Sequence, residues 1–108
     1  MIQDFYDLST YLMGRIVKFP RSLRYGLGLE IERRLQGLLA LLVRAKYNKS
    51  ERVAVLNDVN IELEVLRFQL RQSQELAALP TKSHEHALKQ LTGVGQQVGG
   101  WLRQQARP

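Results

Sequence analysis

Hydrophobic residues recur at helical spacing along most of the chain. Phe5, Leu8, Leu12 and Ile16 follow one another at steps of three and four residues, which places them on one face of a helix. Later segments repeat this spacing, and no segment shows the sustained alternation of polar and apolar residues that is typical of a strand. The sequence therefore predicts an all-α protein.

Prolines and a polar turn divide the chain into four helical segments. Phe19-Pro20 ends the first helix and Pro80 ends the third, because the residue before a proline is disfavoured in the α region. The turn Asn48-Lys49-Ser50 separates the second helix from the third. The predicted helices cover about residues 2–18, 22–47, 51–79 and 83–105 of a single domain, residues 1–108, with Ser22, Ser50 and Ser83 as N-caps. Short connections make neighbouring helices antiparallel, which favours an up-down-up-down four-helix bundle.

The third segment carries apolar residues on two faces. Its main stripe consists of Leu56, Val59, Leu63, Leu66 and Leu70, and the nearly opposite face carries Ile61, Val65 and Phe68. The second segment contains the apolar run Leu38–Val43. A helix that is hydrophobic on more than one side is buried on more than one side, so we expect a subunit interface. The predicted interface residues are Leu39, Val43, Ile61, Val65 and Phe68. Burial of these surplus residues within the core of one chain is the alternative.

The composition is typical of a folded protein without disulfides. Hydrophobic residues make up 44% of the 108 residues, which is enough for a core. The absence of cysteine excludes disulfide scaffolds, thiol catalysis and cysteine-based zinc sites. The longest apolar run is far shorter than the ~20 residues of a membrane helix, and the acidic N-terminal segment does not resemble a secretory signal. We therefore expect a cytoplasmic protein.

Positive charge is concentrated in one part of the chain. The formal net charge is +6, and residues 15–49 alone carry +7. Such a segment attracts nucleic acid or an acidic protein surface, whereas the alternative is a solvated face that keeps the protein soluble. The residues predicted to bind a partner or nucleic acid are Arg15, Lys18, Arg21, Arg24, Arg33, Arg34, Arg44, Lys46 and Lys49.

Four residues of the second helix, Arg33, Gly37, Ala40 and Arg44, share one helical face and are called the seam below. Its small central residues allow another backbone to approach closely, and its arginines can fork onto phosphates or carboxylates. The seam therefore faces either a partner or a neighbouring helix of the same bundle. The chain has no helix-turn-helix, zinc-finger or aromatic RNA-binding motif, so any nucleic-acid binding is led by phosphate contacts.

The usual constellations for catalysis, metal binding and cofactor binding are missing. His84 and His86 are the only histidines, and two residues apart on a helix they point in different directions. Neither Gly26-Leu27-Gly28 nor Gly93-Val94-Gly95 follows a strand or carries the lysine pattern of a phosphate-binding loop. The sequence therefore predicts a protein that is not an enzyme and has neither a metal site nor a cofactor.

Two motifs resemble those of a known family. The segment Lys18-Phe19-Pro20-Arg21-Ser22-Leu23-Arg24-Tyr25-Gly26-Leu27-Gly28 resembles the start of the second helix in the accessory variability determinant (Avd) family of diversity-generating retroelements. The segment Val98-Gly99-Gly100-Trp101-Leu102 resembles the ending of the same family. The helices between them agree in length and order, so the resemblance covers nearly the whole chain. Leu23 departs from it, being apolar where we expect a polar residue.

The resemblance implies a four-helix bundle that assembles into a pentameric ring with a basic surface. It implies as partners the retroelement's error-prone reverse transcriptase and its template RNA or cDNA, in support of mutagenic reverse transcription and retrohoming. Arg21 and Arg24 lie within the matched motif. One alternative is the similar family of four-helix proteins encoded in ribosomal RNA intervening sequences, which usually continues its Phe-Pro-Arg opening with a stretch absent here. The other is a plain oligomeric scaffold without a nucleic-acid role.

Overall fold

The computed structural model describes residues 1–106 as four long helices. Helix α1 covers Ile2–Ile16. Helix α2 has three parts, namely a short α-helical segment Arg21–Leu23, a π-helical turn Arg24–Gly28 and a long α-helical segment Leu29–Tyr47. Helix α3 covers Arg52–Glu75 and helix α4 covers Thr81–Gln105. Residues 107 and 108, which the predicted domain includes, lie outside the described residues.

Residues 1–106 contain no strand, so the prediction of an all-α protein with four helices is confirmed. Within the same residues, none of the helices combines the length and apolarity needed to cross a membrane.

The helices pack around one hydrophobic core. Helix α2 packs against α3, α3 packs against α4, and α1 packs against both α2 and α4. Each helix contributes one buried stripe to the core: Phe5, Leu8, Leu12 and Ile16; Ile31, Leu35, Leu38 and Leu42; Leu56, Val59, Leu66 and Leu70; Ala87, Leu91, Val94 and Val98. Burying a side chain of leucine size stabilises the fold by about 1.5–3 kcal/mol, so these stripes supply the main driving force for folding.

Two helices begin directly after a proline rather than at a serine. Pro20 and Pro80 are the N-caps of α2 and α4, with ψ of 143° and 149°, and their carbonyl oxygens accept the first helical hydrogen bonds at 2.9 Å. Proline suits this position because its φ is already fixed near the helical value. Ser22 and Ser83 lie within the first turns, so their prediction as N-caps is wrong.

Asn48, not Ser50, organises the start of α3. The side-chain carbonyl oxygen of Asn48 accepts hydrogen bonds from the Ser50 hydroxyl at 2.9 Å and from the backbone N–H of Glu51 at 3.2 Å. Asparagine commonly forms such turns with the backbone that follows it. The prediction of Ser50 as an N-cap is therefore wrong, and α3 begins at Arg52.

Helix α3 ends at Glu75, before the predicted end near residue 79. The backbone N–H of Ala78 donates to the carbonyl oxygen of Ser73 at 2.8 Å, and that of Ala77 donates to Gln74 at 3.0 Å. This pair of bonds is a Schellman motif, which requires a left-handed residue at its centre. Ala77 supplies it with φ of 60°. The helix is therefore ended by this turn, and Pro80 only prevents its continuation.

Replacing Ala77 with glycine should stabilise the protein, because an L-residue pays about 1–2 kcal/mol in the left-handed region and glycine does not. We expect Ala77→Gly to raise the free energy of unfolding by up to about 1 kcal/mol after the greater entropy of the unfolded chain is counted. The matched control is Ala54→Gly, an exposed position inside α3, which should lower it by about 1 kcal/mol. Urea denaturation measures both, and equal destabilisation by both variants would contradict the assignment.

Candidate partner-binding surface

The segment Lys18–Gly28 shapes the junction of α1 and α2 through close packing. Gly28 is buried, and a Cβ at this position would lie 3.0 Å from Cγ2 of Ile16 and 3.4 Å from the carbonyl oxygen of Leu23. The π-helical turn Arg24–Gly28 brings this glycine against the end of α1. Such turns are rare and often occur at functional sites. The segment therefore holds two helices at a close distance that a larger residue would disturb.

The basic side chains at this junction differ in how free they are. Lys18 and Arg21 are exposed, whereas Arg15 and Arg24 are half-buried. Nη1 of Arg24 donates to the carbonyl oxygen of Val17 at 3.3 Å, beyond the end of α1. The Arg24 guanidinium also lies 5.1 Å from the centroid of the Tyr25 ring. Arg24 therefore satisfies part of the chain's own structure, while Lys18 and Arg21 are available to a partner.

The seam faces away from its own bundle. All four residues of the seam are exposed, and a Cβ at Gly37 would lie within 4 Å of no other part of the chain that the structure describes, apart from its own helical turn. The alternative that the seam is a tight helix–helix contact within the chain is therefore wrong. Its small residues form a shallow surface between the two arginines, open to an approaching molecule.

Arg34 lies beside the seam and behaves differently from it. Its Nε lies 2.6 Å from Oε2 of Glu62 on α3, so this arginine joins α2 to α3. The other ion pairs within residues 1–106 are Arg67–Glu64 at 3.9 Å and Arg71–Glu75 at 3.0 Å. Of the nine basic residues predicted to bind a partner, Arg34 is thus the one paired with a carboxylate in the part of the chain that the structure describes.

Lys46 and Lys49 are exposed at the C-terminal end of α2. The nearby Arg52 instead forms hydrogen bonds within the chain. Nε and Nη2 of Arg52 donate to the carbonyl oxygens of Ala45 at 2.7 Å and of Lys46 at 2.9 Å. Cations favour the C-terminal end of a helix because its last carbonyls are unpaired. The Arg52 guanidinium also lies 5.1 Å from the centroid of the Trp101 ring. The tryptophan of the C-terminal motif therefore supports a contact that ties three helices together.

Sequence reasoning did not find this role of Arg52. Its only local signal is a basic residue placed shortly after the end of a helix, and charge alone does not distinguish it from Lys46 and Lys49. The position of the α2 carbonyls and of Trp101 around it becomes visible only in the folded chain.

The apolar residues predicted at a subunit interface lie at the surface of the single chain. Ile61, Val65 and Phe68 are 63%, 36% and 57% exposed on the outer face of α3, and Val43 is 40% exposed on α2. Leu39 is partly buried against the core. Burial within the chain's own core is therefore wrong for four of these residues, and their contact with another subunit stays a prediction.

These residues form two separate surfaces. Two contacts identify the opposite flanks of α2. Arg34 bonds to Glu62 on α3, which marks the α3 side. Nε2 of Gln36 donates to Sδ of Met13 at 3.7 Å, which marks the α1 side. At about 100° per residue, Val43 lies about 20° from Gln36 around the helix. Val43 is therefore on the α1 side. The α3 outer face (Ile61, Val65, Phe68) and the α2 flank (Leu39, Val43) point in different directions.

The two histidines have separate environments. The ring of His86 packs edge-on against Tyr11 with 4.6 Å between centroids, and His84 lines a pocket with Phe68 and Arg71. Among residues 1–106, no group of three or more His, Cys, Asp or Glu residues is arranged to hold a metal ion.

A family model described as bAvd-like matches residues 1–105 of the chain. The match includes all four helices, the Lys18–Gly28 segment and the motif around Trp101. No curated protein and no solved structure matches the chain significantly.

Two glycines of the Lys18–Gly28 segment test whether close packing matters there. Gly28→Ala should destabilise the protein by about 1–3 kcal/mol, because the added methyl group meets the buried Ile16 and overpacks the junction. Gly26→Ala is the matched control, since a Cβ there would meet nothing within 4 Å, and it should be neutral or stabilising by up to about 1 kcal/mol. Thermal and urea unfolding compare the two variants, and similar stabilities would refute the packing role of Gly28.

Proposed function

The chain belongs to the bAvd-like family, and on this basis we propose that it is a non-catalytic accessory protein of a diversity-generating retroelement. In this proposal it binds the reverse transcriptase and the template RNA or its cDNA, and it supports mutagenic reverse transcription and retrohoming in the cytoplasm. The observation that carries the binding proposal is the seam. Its two arginines are exposed, pair with no carboxylate of residues 1–106 and are separated by small residues.

Phosphate contacts are the chemistry that this surface suits best. Arginine presents a planar fork of donors that matches phosphate oxygens, and the open surface between Arg33 and Arg44 allows a strand to approach without a steric barrier. Lys46 and Lys49 are further exposed cations at one end of α2, and Lys18 and Arg21 are exposed cations near its other end. Binding of this kind releases counterions, so it is salt-sensitive and largely independent of sequence.

The proposed fold is a single up-down-up-down bundle. Two contacts in each of three helix pairs support it. In each pair, moving towards the C-terminus of one helix moves the contact towards the N-terminus of the other. Across α2 and α3 these are Ala45 with Arg52 and Arg34 with Glu62; across α3 and α4, Gln74 with Thr81 and Arg67 with Thr92; across α1 and α4, Asp4 with Gln97 and Tyr11 with His86. Antiparallel neighbours give such reversed pairs.

The proposed assembly is a ring of five subunits. A ring is built from a heterologous contact, in which one surface of a subunit meets a different surface of the next. The α3 outer face and the α2 flank supply two such apolar surfaces that point in different directions. A ring would repeat the seam in every subunit, so that weak phosphate contacts add through multivalency.

Reversing the two seam arginines tests the binding proposal. Arg33→Glu/Arg44→Glu should weaken binding to single-stranded RNA by about tenfold or more and lower the slope of log affinity against log salt by about 2, because two phosphate contacts are lost. The control Lys89→Glu/Arg103→Glu changes two exposed basic residues of α4 and has the same effect on net charge. Both variants should melt close to the wild type, since exposed charges contribute little to stability.

Fluorescence anisotropy measures RNA binding, and a pull-down with the cognate reverse transcriptase measures the protein partner in parallel. Equal RNA binding by the seam variant and its control would mean that net charge, not the seam, attracts the nucleic acid. Absence of both RNA binding and polymerase capture by the wild-type protein would support the scaffold alternative instead.

A charge on the α3 outer face tests the assembly. Val65→Glu should dissociate the oligomer into folded monomers, because an unpaired carboxylate buried between subunits is strongly unfavourable whereas the same carboxylate on a free chain is solvated. Val53→Glu is the control, as Val53 is an exposed valine of the same helix that lies about 18 Å away along its axis. Analytical ultracentrifugation with circular dichroism separates dissociation from unfolding. A monomeric wild-type protein at micromolar concentration would end the ring proposal.

A further inference from the structure

An open pocket of about 450 Å³ lies where the end of α1 meets the connection between α3 and α4. Arg15 and Lys18 supply its basic wall. The rest of the lining comes from Gln74 and from the loop and first residue of α4, namely Ala77, Ala78, Leu79, Pro80 and Thr81. No acidic side chain lines the pocket within residues 1–106. Its two charged groups therefore have the same sign and favour an anionic ligand.

Arg15 has no partner of its own in this pocket. Within residues 1–106 its side chain makes neither a hydrogen bond nor an ion pair, and its Nε is buried without an acceptor. A buried polar nitrogen without a partner costs about 1–3 kcal/mol, so such groups call for an explanation. No acceptor within residues 1–106 therefore competes with a pocket ligand for the Arg15 guanidinium.

A second source of positive potential lies at the same pocket. Helix α4 has 25 residues, begins at the pocket wall, and carries neither a side-chain cap nor an acidic residue in its first turn. Its first helical hydrogen bond is donated by His84 to Pro80, so the N–H groups of Thr81, Lys82 and Ser83 precede the first helical acceptor. The N-terminus of a long helix attracts phosphate through these groups and through its dipole.

We propose that this pocket binds a phosphodiester group of the RNA or cDNA strand, with the Arg15 guanidinium and the Lys18 ammonium as its cationic ligands. The proposal rests on the function proposed above and names a specific contact within it. The pocket lies at the end of the bundle, whereas the seam lies along α2. A phosphodiester held in the pocket would therefore fix the position of one nucleotide of the strand relative to the protein. Leu79 and Pro80 form an apolar part of the pocket wall, against which the adjoining sugar or base can pack.

Stabilisation of the end of α1 is the competing explanation for Arg15, since a basic residue in a last helical turn is favourable. However, it is Arg24 that donates to the carbonyl of Val17 beyond the end of α1, and Arg15 donates to none. Thermal stability distinguishes the two roles. If Arg15 serves the helix, Arg15→Gln lowers the melting temperature; if it serves a ligand, the free protein melts as the wild type does.

The experiment compares Arg15→Gln and Lys18→Gln with Lys89→Gln, an exposed lysine of α4 that is not part of the pocket lining. Each variant removes one positive charge. The probes are a short single-stranded RNA without terminal phosphates and, separately, inorganic phosphate. We expect the two pocket variants to bind this RNA about tenfold more weakly, with a salt slope lower by about 1, and Lys89→Gln to bind within about twofold of the wild type. In the wild type, the RNA should shift the amide resonances of Thr81, Lys82 and Ser83 in NMR spectra.

Each other outcome overturns the proposal in a recognisable way. Equal RNA affinities for all three variants, with the seam variant still defective, would reject the pocket and leave the proposed function intact. Shifts caused by inorganic phosphate but not by the RNA would identify an ion site only. Absence of RNA binding by the wild type would reject both the pocket and the nucleic-acid part of the proposed function.

Discussion

Four helices share one hydrophobic core, and this limits each helix to a single buried stripe. Phe5, Leu35, Leu66 and Leu91, one from each stripe, are each 0% exposed. The side chains on the remaining faces of each helix must therefore lie at the surface of the single chain. This constraint leaves the seam open to solvent and leaves Ile61 and Phe68 exposed on the outer side of α3, although both are large and apolar.

Some arginines of residues 1–106 bond to other groups of the chain, and others are exposed without such a bond. The unpaired carbonyl groups at helix ends account for part of this difference. A helix leaves its last carbonyl groups unpaired, and nearby guanidinium groups can satisfy them. Arg52 does so at the end of α2, Arg24 donates to a carbonyl just beyond α1, and Arg34 instead neutralises Glu62 across two helices. Arg33 and Arg44 are exposed and pair with no carboxylate of residues 1–106, so replacing them should change the free energy of unfolding little.

Assembly and nucleic-acid binding are proposed on different faces of the same bundle. The apolar residues lie on the outer face of α3 and on the α1 side of α2, while the seam lies between these surfaces around α2. The proposed assembly therefore uses residues other than the seam arginines. The same separation allows one role to be disrupted by mutation while the other is retained.

The sequence by itself determined the number of helices, the core stripes, the apolar second face of α3 and the concentration of charge in residues 15–49. The stripes and the second face follow from the spacing of apolar residues along one helix, the number of helices from prolines and a polar turn, and the charge concentration from a count of charged residues. Only the tertiary structure decided which side chains of α2 contact other helices. Arg34 and Gly37 lie one helical turn apart, yet Arg34 pairs with Glu62 on α3, whereas a Cβ at Gly37 would contact no other helix of residues 1–106. The turn at Ala77 that follows α3 and the pocket at Arg15 were likewise not predicted by periodicity. Their partners are set by backbone hydrogen bonds and by helices distant in the chain, which no local pattern of residue types encodes.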